Sequence, residues 1–343
     1  MNPKKRIDLI KKKAFKYLTV FLKNKISKTV INNDEVKKIL VCRPNHKLRN
    51  LLLLSPLVQE LEFTFPNSEI DLLVNESCAS KLYQNYENVN QIIEFPQRPF
   101  NNPIKYIKTF IKLRDKKYDL AINAVKESCS GRIFTSISKA KFKFIEHKNS
   151  DKKEIHLAKE VIYSLREFLS TIGVKENDAI PANLDLRLAN DELIQGGLSV
   201  YEIVQNAQPT ICLFTYTTNT KYYTKNWWFN LYEYLKIAFP NENIIEILPE
   251  ENASQIGFKA PTLYSNDIRE LTAIIANTDV FIGDDNGVMH LASASLTPTI
   301  GLFTDTELEK YKPYNEGSAA VRVNELKINE LIALIKNAIY SNT

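Results

Sequence analysis

Short apolar runs recur along this chain, and most are followed by a stretch whose apolar positions fall three and four apart. Residues 39–42, 70–74, 92–95, 119–124 and 142–145 make a first series of runs, and 210–214, 244–248, 280–282 and 299–303 a second. A run that is apolar throughout suits a strand covered on both faces, as in a parallel sheet. Helical spacing marks the segments around Leu51–Leu61, 104–117, 155–172, 227–239, 267–277 and 325–340, and a further polar helix is expected from Asn190. Strands alternating with helices imply parallel sheets with right-handed crossovers. At 343 residues the chain is long for one core and natural for two. The pattern divides it into an N-terminal segment, residues 1–35, a first α/β domain, 36–185, and a second, 186–343. A polar stretch, a helix and a loop between 148 and 185 form the join.

Charge changes the picture only at the N-terminus. Residues 1–28 hold ten Lys or Arg against Asp8 alone, a net +9 in a chain of +5. Ile10, Ala14, Leu18, Phe21 and Leu22 recur there at helical steps, so a cationic amphipathic helix is expected. It suits an anionic membrane surface; a face docked on the protein and a nucleic-acid arm are the alternatives. Nucleic acid fits least, because the rest of the chain is acidic and has no stacking motif. Cys42, Cys78, Cys129 and Cys212 lie far apart without metal or redox spacing, as in reduced cytosolic proteins. No run approaches the ~20 apolar residues of a membrane span, and no signal peptide is evident. The expected location is inside the cell, with the N-terminal helix on an anionic membrane surface.

The chemistry concentrates after two strands of the second domain. Gly283-Asp284-Asp285-Asn286-Gly287 links an apolar run to Val288-Met289-His290-Leu291-Ala292 at helical spacing. Such a turn lies at the carboxyl edge of a parallel sheet, where the next helix directs its N–H groups and positive dipole end. Gly283 and Gly287 would let the backbone approach a bulky anion. An ordinary turn of Asp, Asn and Gly is the competing reading. Upstream, the hydroxyl-rich residues 215–224 and Lys225 precede a helix led by Trp227, a plausible diphosphate cradle. Trp227 itself reads as packing.

Asp285-Asn286-Gly287-Val288-Met289-His290-Leu291-Ala292 resembles the signature of glycosyltransferase family 9, the bacterial heptosyltransferases, and Pro298 to Phe303 resembles that family's next strand. Asn286 stands where the family usually has a hydroxyl. Lys225-Asn226-Trp227 is similar to its Lys-x-Trp element, whose Lys meets the donor phosphates, and Thr217 and Thr218 to its upstream hydroxyls. Glu250 falls where the family has an acid facing the donor ribose. In the first βα loop, Arg43, Leu48, Ser55 and Pro56 match, with Asn45 in the same acceptor loop. Arg49 replaces a Gly, and Asn50 replaces the Asp that serves as catalytic base. An amide cannot take that proton. His46 could supply the base, Asn50 could merely orient the acceptor while the base comes from elsewhere, or turnover could be lost. His46 could equally serve only the loop backbone.

The resemblance implies a GT-B fold, two Rossmann-like domains facing a cleft. It implies an inverting, metal-independent transfer of heptose from ADP-heptose to a lipopolysaccharide core or related lipid-linked glycan. No cofactor is expected beyond the nucleotide-sugar substrate. Lys225, Thr217, Thr218, Asn286 and Gly287 would meet the diphosphate, Asp285 the sugar hydroxyls, and His290 the phosphates or the core. The alternative is a catalytically degenerate relative that binds nucleotide sugar or glycan without transfer.

Overall fold

The computed structural model describes residues 22–26, 32–75, 78–96, 103–145, 155–175, 177–217, 223–304, 307–325 and 327–340. Two compact units divide the chain, residues 1–153 with 157–182, and residues 154–156 with 183–343. Each contains one sheet, parallel throughout.

The first sheet comprises β1 (Lys38–Arg43), β2 (Glu69–Asn75), β3 (Val89–Phe95), β4 (Lys117–Asn123) and β5 (Lys139–Phe144), in the order β3-β2-β1-β4-β5. Its helices are α1 (Leu48–Leu52), α2 (Ser55–Thr64), α3 (Ala79–Leu82), α4 (Pro103–Asp115) and α5 (Cys129–Ile137), and α6 (Leu157–Ser170) packs on α2. Arg166 of α6 joins the two helices by a buried fork to Glu60, Nε to Oε1 at 2.8 Å and Nη2 to Oε2 at 2.6 Å. Leu40, Cys42, Leu73, Ile93, Leu113 and Phe134 share a core. At the edge of the sheet, Lys25 and Lys143 exchange backbone hydrogen bonds of 3.0 and 3.1 Å as an antiparallel bridge. The Asn24 side chain accepts from the N–H of Ile145. Residues 22–26 are therefore not helical, and the remainder of the helix expected over 1–28 lies outside the described residues.

The second sheet comprises β6 (Thr210–Phe214), β7 (Asn243–Ile247), β8 (Thr262–Leu263), β9 (Val280–Asp284), β10 (Thr299–Phe303) and β11 (Ala319–Arg322), in the order β11-β10-β9-β6-β7-β8. Its helices are α7 (Asn190–Val204), α8 (Lys225–Ala238), α9 (Ile268–Ala276), α10 (Gly287–Ala294), α11 (Leu308–Tyr311) and α12 (Ile328–Tyr340). Alternation explains why β6 is apolar at nearly every position. Ile211 and Leu213 join Trp228, Leu231 and Leu331 in one core, while Cys212 and Phe214 join Ile274, Phe281 and Met289 in another. α7 lies outside this rhythm and crosses α9 closely. A Cβ on Gly196 would stand 2.3 Å from the carbonyl oxygen of Ala273. Arg269 also reaches back to Glu192, at 2.5 and 2.7 Å.

Two local expectations are corrected. The helix expected over 104–117 ends at Asp115, because Lys117 already pairs in β4. The first acceptor-side helix begins at Leu48, so Arg49 and Asn50 lie on its first turn rather than in the preceding loop; a second helix starts at Ser55, with Pro56 in its opening turn.

Candidate active site

In each sheet the strand order reverses beside the first strand, between β1 and β4 and again between β6 and β9. Ligands of open parallel sheets bind at the carboxyl ends of strands flanking such a reversal. In the second unit these ends are Thr215 to Thr217 after β6 and Asp284 to Asn286 at the end of β9.

Asp284 is the centre of this edge. Its side chain is buried, the Thr217 hydroxyl donates to its carboxylate, and the Asn286 amide donates to Oδ1. Burial pushes the Asp284 carboxyl up to about 6, and the neighbouring charge of Asp285 adds to the rise; the Thr217 and Asn286 hydrogen bonds oppose it. Asn286 has a second task. Its Oδ1 accepts from the N–H of Val288 at 2.8 Å and of Met289 at 3.2 Å, capping α10. The amide thus caps the helix as the family's hydroxyl could, and in addition braces Asp284. His290 is fully buried, with Nε2 3.5 Å from Oδ1 of Asp285. Gly287 opens α10. Gly283 lies within β9, where a Cβ would stand 2.9 Å from the Phe281 ring, so packing accounts for this glycine.

Lys225 is the first residue of α8 and is exposed. Thr224 caps that helix, accepting from the N–H of Trp227 at 3.2 Å. Thr218 lies outside the described residues. Glu250 is exposed in the turn after β7, at the same carboxyl edge; its neighbour Glu251 accepts from the Tyr216 hydroxyl at 3.0 Å. Trp227 stands edge-on to Tyr223 and Trp228, at centroid distances of 5.5 and 5.0 Å, consistent with packing. Among the described residues no three His, Cys, Asp or Glu side chains converge as a metal-binding group.

Sequence reasoning missed two features of this edge. Tyr223 is buried, and its hydroxyl is held well above the usual phenol range by burial and by the charges of Asp284 and Asp285. Glu246, also buried, accepts from the hydroxyls of Thr215 and Ser254, and burial raises its carboxyl. A polar residue inside the apolar run 244–248 was the available signal.

In the first unit, Arg43 ends β1 and turns inward. Its Nε donates to the carbonyl of Asn50 at 2.5 Å, Nη1 to the carbonyl of Ala124 at 3.3 Å, and Nη2 to Oδ1 of Asn50 at 3.4 Å. Arg43 therefore ties the β1 and β4 ends together and holds the Asn50 amide oxygen. Asn45 stabilises the loop, accepting from the N–H of Lys47 at 2.9 Å. His46 is exposed on this loop, and Arg49 is half-buried on α1.

Residues 250–337 match Glycosyltransferase family 9 (heptosyltransferase). The chain is 21% identical over 322 residues to the putative lipopolysaccharide heptosyltransferase 4 of Escherichia coli K12, covering 90% of this chain and 86% of that protein. A family 9 glycosyltransferase from Veillonella parvula superposes with a TM-score of 0.72 at 14% identity, over 91% of this chain and 99% of that one. E. coli heptosyltransferase WaaC, solved with ADP, superposes with a TM-score of 0.63 at 16% identity, over 88% and 99%. These superpositions carry the fold, GT-B. The family match lies across the Asp285 to Ala292 signature, so over that segment the chain is similar to the heptosyltransferases of glycosyltransferase family 9.

Proposed function

We propose that this glycosyltransferase moves heptose from ADP-heptose to a hydroxyl of a lipopolysaccharide core or related lipid-linked glycan, with inversion and without a metal ion. The observation that carries the donor half is the carboxyl edge of β6 and β9, where Lys225, the start of α10 and the braced Asp284 occur together. The relatives support the sugar: one is named a lipopolysaccharide heptosyltransferase, and another was solved with ADP.

In the reaction, the acceptor oxygen attacks the anomeric carbon while the bond from that carbon to the diphosphate oxygen breaks. The acceptor proton passes to a base, and ADP leaves with the bonding pair. Lys225 and the Gly287 N–H offset the charge that develops on the diphosphate, a role for fixed donors. Asp285 orients the sugar hydroxyls, Glu250 the ribose, and buried His290 supports Asp285. Asn50 keeps the acceptor oriented through its amide but cannot take its proton. His46 is the proposed base. As a peripheral protein, the enzyme would work at the inner face of the inner membrane, with residues 1–28 on anionic lipid.

Calorimetric titration with ADP, UDP and GDP, repeated with Lys225→Ala, tests the donor site. Selective ADP binding, weakened roughly tenfold or more in the variant, is the expected result. Selective UDP or GDP binding would discard heptose. Absence of binding to all three would favour the degenerate reading, which the comparisons do not. His46→Ala should abolish most transfer with ADP affinity unchanged; full activity in that variant would remove His46 as base.

A further inference from the structure

The outward face of α4 is not accounted for by packing. Ile104, Ile107 and Ile111 stand three and four residues apart, hence along one meridian, and are 67, 56 and 52% exposed. The inward side is carried by Thr109 and Leu113, both buried, with Leu113 in the core beside Leu40 and Phe134. The helix thus has two apolar faces and covers one of them. Single exposed apolar residues are common on proteins, but a contiguous stripe marks a contact surface.

Cations border that stripe. Lys108 and Lys112 lie on one side and Arg114 on the other, all exposed, and the only acid of the helix is its last residue, Asp115. Among the described residues none of these three cations forms an ion pair. An apolar meridian flanked by long cationic stems is the pattern of a helix lying in a lipid interface, the stems reaching up to the phosphates.

We propose that α4 docks on an anionic lipid bilayer, with Ile104, Ile107 and Ile111 below the headgroups and Lys108, Lys112 and Arg114 among the lipid phosphates. Charge sets aside the other occupants. The chain's own N-terminal segment is strongly cationic and would be repelled. A second copy placed symmetrically would bring lysines against lysines. Nucleic acid would meet three isoleucines at the centre of its contact. α4 also packs against β5, the strand bridged by Lys25, so Lys23 and Lys25 adjoin the same sheet edge. This surface is distinct from residues 1–28 and independent of the donor assignment.

The test uses the full chain and vesicles of phosphatidylethanolamine with phosphatidylglycerol, against phosphatidylcholine alone. Ile107→Trp supplies a local reporter, read as the difference from the parent's fluorescence. On anionic vesicles its emission should shift to the blue and be quenched by lipids brominated in the acyl chain, with little change on phosphatidylcholine. Replacing Ile104, Ile107 and Ile111 together by Ser, which leaves every charge in place, should weaken vesicle binding by about tenfold or more. Nucleotide titration of this triple variant should match the parent, showing that the donor unit remains folded. An unshifted, unquenched reporter on vesicle-bound protein would overturn the proposal in favour of residues 1–28 acting alone. So would a triple variant that binds vesicles as the parent does, or one whose only change is loss of a dimer in sedimentation. None of these failures touches the ADP titration, so the donor reading stands or falls separately.

Discussion

Asp284 carries a pH dependence whose sign follows from its surroundings. Its carboxyl titrates at about 6 in the folded chain against 3.8 for the free group, so folding favours the protonated form. The corresponding stability is fully present below pH ~4 and is lost as pH rises through ~6, in all about 2–3 kcal/mol. Asp284→Asn should remove that loss: urea unfolding at pH 5 and pH 8 should show a smaller difference in the variant than in the parent. An unchanged pH slope would place the dependence on another group. Asn286→Ala removes the cap of α10 and should cost about 1 kcal/mol, seen as a lower Tm. Asn286→Ser restores a capping oxygen and should recover most of it. The cost should not be recovered if Asn286 matters only through Asp284.

At the scale of elements, the close crossing of α7 on α9 leaves no room at Gly196. Gly196→Ala should destabilise the chain by about 1–3 kcal/mol, despite the better helix propensity of Ala, because its Cβ meets the Ala273 backbone. A variant as stable as the parent would mean that the helices separate freely. The strands were legible because an apolar run at a sheet centre has few other uses; residues 210–214 and 299–303 match β6 and β10. The short β8 and α11 offer no periodicity to read. Helix α5 was hidden by its composition, Ser, Thr, Cys and Gly, which are weak helix formers; Ser128 caps it and Phe134 anchors it. The positions of Lys225, Asp285 and Asn286 were legible because each lies beside a strand or helix boundary. The Glu246 cluster was not, since Thr215, Glu246 and Ser254 meet only when β6, β7 and the following loop are folded together. Arg43 was visible as a matching residue, but its grip on Asn50 depends on the helix starting at Leu48, earlier than the apolar pattern suggested.

Among the described residues, an arginine fork joins two helices in each unit, Arg166 to Glu60 in the first and Arg269 to the partly buried Glu192 in the second. Arg166→Ala would leave buried Glu60 without its counter-charge, with the Asn177 amide still donating to it at 3.1 Å, and should cost about 3 kcal/mol, measured by chemical unfolding. The bridge between Lys25 and Lys143 bears on how the chain can be handled. β5 is the outermost strand of its sheet, and its row of backbone groups is a template for any passing extended segment. Lys25 occupies part of that row, and Lys139, Lys141 and Lys143 along it discourage self-assembly by mutual repulsion. A truncation that ends before Leu22 keeps this cover, whereas one that continues through Ile26 uncovers a sticky margin and invites strand-to-strand aggregation.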